Sequence, residues 1–233
     1  MKQISRYITE KLKINRDSGT KYNYYPEDRS ELRSLIEKLL KERGPDANLN
    51  DIDVSRITDM EMLFYELDPH NIDISDWDVS NVTNMSGMFS ECGNFNCDLS
   101  QWDVSHVTIT AAMFYKCRQF KSDLSRWDVS NVKSMSAMFA NCKKFTSDLS
   151  KWNVSNVEGS MAHMFYGCDK FNSDLSNWNV SKITSMLYMF YNCKKFDSDL
   201  SSWDVSKVDK GWAMEKMLEK CRSLKKIPDW YKW

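Results

Sequence analysis

The residues of this chain that could carry acid–base or metal chemistry fall into columns rather than clusters. Four residues ahead of a tryptophan stands an aspartate, at Asp73, Asp98, Asp123, Asp148, Asp174 and Asp199. A carboxylate so placed can accept from backbone N–H groups two or three residues on and fix a turn. A calcium ladder on the same column would need glycine-rich loops, and the chain has only seven glycines, so no metal is expected. A second column follows each tryptophan, as Asp78, Asp103, Asp128, Asn153, Asn179 and Asp204. Flanked by inward apolar residues, it must point outward, where like charges one rung apart repel unless something cationic lies beside them. Arg126 and Lys151 supply part of that charge. The outward set Asp76, Asp78, Gln101, Asp103, Arg126, Asp128 and Lys151 is therefore the expected protein-binding face.

Two further columns compete with it. Arg118, Lys143, Lys144, Lys170, Lys194 and Lys195 form a basic ridge of the kind that tracks phosphates. Tyr115, Tyr166, Tyr188 and Tyr191 could stack on bases or anchor a protein. Nucleic-acid binding along the ridge is thus the alternative to protein binding. Catalysis has no support: His70, His106 and His163 occupy different columns without metal-ligand spacing. No G-x-S-x-G, phosphate loop or Cys-x-x-Cys pair occurs. A non-enzymatic chain without cofactor is expected.

What must position these columns is a repeat. Trp77, Trp102, Trp127, Trp152, Trp178 and Trp203 are separated by 25, 25, 25, 26 and 25 residues. Units this short cannot bury an apolar face alone, so they must stack into a solenoid. The frame Leu99-x-x-Trp102-x-Val104-x-x-Val107 matches a leucine-rich repeat, with Trp102 and Val104 on a short strand. Met85, Met88, Phe89 and Cys92, at i, i+3, i+4 and i+7, predict a helix of about two turns. The expected fold is an α/β repeat solenoid of short parallel strands and short helices. Ile52 stands where a tryptophan is due, 25 residues before Trp77, which makes about seven coils over 47–224. The extra residue at Glu158-Gly159-Ser160 should be absorbed on the helix side without shifting the strands.

Residues 1–46 lack the repeat and should form a helical N-terminal cap. Ile4, Tyr7, Ile8 and Leu12 make one apolar stripe, and Leu32, Leu35, Ile36, Leu39 and Leu40 a better one, started by Asp28 with Glu31 and stopped by Gly44-Pro45. Residues 225–233, with Ile227, Trp230, Tyr231 and Trp233, should lid the far end.

The opening residues show no apolar signal segment, and no span is long enough for a membrane, which predicts a soluble, cytoplasmic chain unless a leader has been lost. Six of the seven cysteines share one column and are expected to be free thiols. Residues 47–117 carry twelve acids and two bases, a net of −10, whereas residues 118–233 carry nineteen bases and thirteen acids, a net of +6. Such asymmetry can steer a partner of complementary charge.

The string Phe-x-x-Asp-Leu-Ser-x-Trp-Asp-Val-Ser-x-Val-x-x-Met-x-x-Met-Phe-x-x-Cys resembles the BspA-type repeat of bacterial surface proteins, over about residues 52–224. The resemblance implies a right-handed, leucine-rich-repeat-like coil and a role in adhesion or protein binding. It brings no catalytic residues, and an extracellular adhesin would require a leader.

Overall fold

The computed structural model describes residues 21–231. The apolar stripe at Ile4, Tyr7, Ile8 and Leu12 and the terminal Trp233 lie outside them. One hydrophobic cluster runs from Leu32 to Leu218 and takes in every tryptophan from Trp77 to Trp203. Those six indoles are each 4% exposed. Their N–H groups are satisfied across units: Trp102 Nε1 donates to the Ile74 carbonyl at 3.1 Å, and Trp127 Nε1 to Leu99 at 2.9 Å. The frame also fits Ile52, because Trp77 Nε1 donates to Leu49, three residues before it. At the far end Trp230 Nε1 donates to Leu200, so Trp230 continues the indole column.

The predicted helices do not form. In their place each unit makes two linked turns, with Met88 N–H donating to Met85 and Cys92 N–H to Phe89. The residue before each turn closes is left-handed, Gly87 at φ 59° and Glu91 at φ 66°. The same two positions recur as Ala137 and Asn141, and as Tyr188 and Asn192. A left-handed residue every fourth position breaks a helix but suits the third residue of a type II turn. Met85, Met88, Phe89 and Cys92 still all point inward, fully buried. Alternate N–H groups leave the unit: Met85, Gly87, Phe89 and Glu91 donate to Ile109, Ala111, Met113 and Tyr115 of the next.

The expected strand moves as well. Trp102 and Val104 make no backbone bond to a neighbouring unit among the described residues; Trp102 N–H closes a turn onto Leu99, and the Val104 carbonyl closes one from Val107. Apart from the bridges Tyr24–Ile52 and Asn48–Asp73 at the N-terminal end, parallel pairing runs beside the turns, as bridges Asp59–Asn84, Asn84–Ile109 and Ile109–Ser134, then as β1 (Gly159–Ser160) with β2 (Ile183–Ser185). The inserted residue of the fourth unit is taken up here: the register shifts between Gly159 and Ser160, and Gly159 sits at φ 73°. So the insertion bends the paired edge rather than sparing it, and glycine permits the bend.

Residues Arg29–Arg43 form helix α1, with Asp28 accepting from Glu31 N–H at its start and Gly44 closing onto Leu40. Leu32, Leu35, Ile36 and Leu39 are fully buried in the common core. The carbonyls that the first unit would offer to a preceding one meet α1 arginines. Arg29 donates to Glu61, and Arg33 to Met62, Leu63 and Tyr65, at 2.8–3.2 Å.

Candidate interaction face

On the indole side, two short turns per unit are each pinned by a carboxylate or amide. Asp98 Oδ1 accepts from Ser100 N–H at 2.9 Å and Asp103 Oδ1 from Ser105 N–H at 3.0 Å. Asn153 and Asn179 do the same with Ser155 and Ser181, which shows that the turn needs the oxygen and not the charge. A recurring serine completes the first column. Leu124 N–H donates to Ser147 Oγ at 2.8 Å, and that hydroxyl bonds Asp123 Oδ1 at 3.0 Å. The pattern repeats through Ser122, Ser173 and Ser198, all buried.

These bonds favour the ionised carboxylates. Asp98, Asp123, Asp148 and Asp174 are held below the ordinary carboxylate range, chiefly by the backbone N–H two residues on and then by that residue's hydroxyl. Asp103 is lowered by the Ser105 hydroxyl and then by its N–H. The indole side is therefore a surface of fixed negative charge at neutral pH.

The expected binding residues Asp76, Asp78, Gln101, Asp103, Arg126, Asp128 and Lys151 are all exposed on this side, next to the buried indoles. Only Asp76 has an ion-pair partner among the described residues, Lys21 at 3.4 Å, with both side chains more than half exposed. Beside them runs a groove. A volume of about 520 Å³ is lined by Asp98, Gln101, Lys121, Asp123 and Arg126 with their neighbours, and an adjoining one of about 660 Å³ by Lys121, Asp123, Arg126, Asp148 and Lys151. A third lies over Asp174, Asn177, Asp199 and Ser202. The groove brings together Gln101, Arg126 and Lys151, leaves Asp76, Asp78, Asp103 and Asp128 outside its lining, and adds Lys121. Sequence reasoning missed Lys121 because its column, Asn96, Lys121, Thr146 and Asn172, repeats in position but not in type. It assigned the Asp98 column to turn-making alone, whereas Asp98, Asp123 and Asp148 both make their turns and line the groove.

The basic ridge is interrupted. Arg118, Lys143, Lys144, Lys170 and Lys195 are exposed, but Lys194 is partly covered and paired with Asp169 at 3.0 Å. Asp169 directly follows Cys168, the place that Arg118 and Lys143 hold in the preceding units. The tyrosines lie on the turn side, where Lys116 lies over Tyr115 and the later three use their ring faces on their neighbours. Tyr166 stacks on Tyr191 at 5.1 Å and His163 on Tyr188 at 5.3 Å, while Lys216 and Lys220 lie over Tyr188 and Tyr191.

The cysteines Cys92, Cys117, Cys142, Cys168, Cys193 and Cys221 are free, each donating to a carbonyl of the preceding unit at 2.9–3.1 Å. Burial pushes the Cys92 thiol up to about 12 and Cys221 up to about 11. Neither is poised as a nucleophile. Among the described residues, no group of three or more His, Cys, Asp or Glu side chains could hold a metal, and no helix is long and apolar enough to cross a membrane.

Two stretches, 34–146 and 117–231, match the model of a family described as Mycoplasma protein of unknown function, DUF285. The chain belongs to this family. The two matches overlap by more than one 25-residue unit, as a tandem repeat matched in two positions does, and the first begins inside α1. This is a repeat family, and its description assigns no activity. No curated protein and no solved structure matches the chain.

Proposed function

We propose that this member of the family is a non-enzymatic, cytoplasmic scaffold, a solenoid of stacked turns capped by α1, that binds a protein partner across its indole side. The observation that carries this reading is the groove. It crosses unit boundaries, is lined by carboxylates that hydrogen bonds keep ionised, and has Lys121, Arg126 and Lys151 on its banks. Rigid repeats of this size offer long surfaces rather than enclosed clefts, and complementary charge sets register and encounter rate. The resemblance to BspA-type repeats supports the same reading.

Affinity capture from host lysate tests it. Asp98→Asn, Asp123→Asn and Asp148→Asn together remove three charges from the groove while keeping the turn acceptors, and are expected to deplete proteins that the parent chain captures. An unchanged captured set would exclude the groove carboxylates from binding.

A second reading, nucleic-acid binding along the ridge, is favoured by the exposure of Arg118, Lys143, Lys144, Lys170 and Lys195. It stands second because Asp169 sits in that line and takes Lys194. It predicts retention of single-stranded or duplex polymer that falls steeply with salt; absence of retention at low salt rules it out.

A further inference from the structure

Two columns of this chain are electrostatically incomplete in opposite senses. Asp78, Asp103 and Asp128 are exposed, follow one another on successive units, and have no ion-pair partner among the described residues. Lys144, Lys170 and Lys195, each two residues past a cysteine on successive units, are likewise exposed and without an ion-pair partner among the described residues. Each column repels itself, since neighbours recur at the pitch of the stack, shown by Phe89, Phe114, Phe139 and Phe165 at ring separations of 5.6–5.7 Å. The two columns do not relieve one another within a chain: among the described residues no ion pair joins them. Between two chains they can. Both columns repeat at one pitch, so pairing one acid with one base brings the following pairs into register with no accumulated mismatch.

We propose that the basic ridge of one copy docks along the acidic indole side of a second copy. The contact is heterologous, because the patch that binds differs from the patch that is bound, so it leaves a free ridge and a free acidic side at the two ends and propagates rather than closing. The excess of acids over residues 47–117 and of bases over 118–233 extends the match beyond these six side chains. This inference rests on the reading of the indole side as an interaction face and names its partner.

Sedimentation velocity on the full chain tests it. At about 0.01 M ionic strength, where the Debye length is roughly 30 Å, the chain is expected to form concentration-dependent species beyond dimers that revert to monomer at about 1 M, where it is roughly 3 Å. Asp78→Asn/Asp103→Asn/Asp128→Asn keeps the turns, as Asn153 and Asn179 do, and should be monomeric at both. Lys144→Glu/Lys170→Glu/Lys195→Glu should be monomeric as well. Mixing the two variants restores one contact only, so a dimer and nothing larger is expected. A parent chain that stays monomeric at low salt, or folded variants that fail to pair when mixed, overturns the inference. If the parent chain is monomeric while the neutralised acidic side still loses lysate partners, the self-docking fails and the wider reading of that side survives.

Discussion

At the scale of single residues, the fold depends on polar atoms that are buried but answered. Leu124 N–H has Ser147 Oγ as its acceptor, and the same hydroxyl reaches Asp123. Ser147→Ala leaves that N–H without a partner in a buried place, and the expected loss is about 1–3 kcal/mol, read from the urea midpoint. A loss near zero would mean that water reaches the site. The aspartates predict a pH dependence whose sign follows from their lowered values. Since Asp98, Asp123, Asp148 and Asp174 ionise at lower pH when folded, the unfolded chain binds more protons in the acid range. Their stabilisation is fully present above the unfolded carboxylate value of about 3.9 and fades as pH falls through the folded values. Urea midpoints measured between neutral and acid pH should drop below that point, and Asp123→Asn should shallow the fall. A midpoint that rises on acidification contradicts the assignment.

At the scale of the element, how much could be read beforehand depended on what repeats. The tryptophan beat, the inward Leu–Trp–Val frame and α1 with its Asp28 and Gly44 ends were all legible, because each is a pattern of side-chain type. The helices were not, since Met85, Met88, Phe89 and Cys92 point inward equally from a helix or from two linked type II turns. A signal was available in Gly87, Gly167, Asn141 and Asn192, residue types that tolerate the left-handed region, spread over its two recurring positions. The strand was misplaced for a related reason: a corner pinned by Asx turns buries alternate residues as a strand does. Along the indole side, Asp76, Asp78 and Asp103 could be placed as exposed from alternation alone, but the groove with Lys121 needed three dimensions. The arginines of α1 were likewise invisible until the first unit's carbonyls were seen beside them. Arg33→Ala, which strips donors from Met62, Leu63 and Tyr65, should cost about 1–3 kcal/mol in a denaturant titration, with the helix still formed by circular dichroism. No change in midpoint would show that water replaces the guanidinium without penalty.

At the scale of the molecule, the units are joined along one side and presented along the other. From Asp98 onward, backbone bonding between successive units runs mainly through the turn residues, whereas the indole side is held by side chains: tryptophan N–H groups, serine hydroxyls and carboxylates; only the first units add backbone bonds there, such as Leu49 N–H to Asp73 and Asp73 N–H to Ala47. That division leaves the indole side free to vary its charged positions without disturbing the ladder. Amide hydrogen exchange, resolved residue by residue, tests the division most directly. Gly87, Phe89, Glu91, Ala112, Phe114 and Lys116 should exchange slowly, each bonded to the next unit, while Asp103 and Val104, with no acceptor among the described residues, exchange far faster. Strong protection at Asp103 and Val104 equal to that of the turn residues would place the ladder under the indoles and contradict the account.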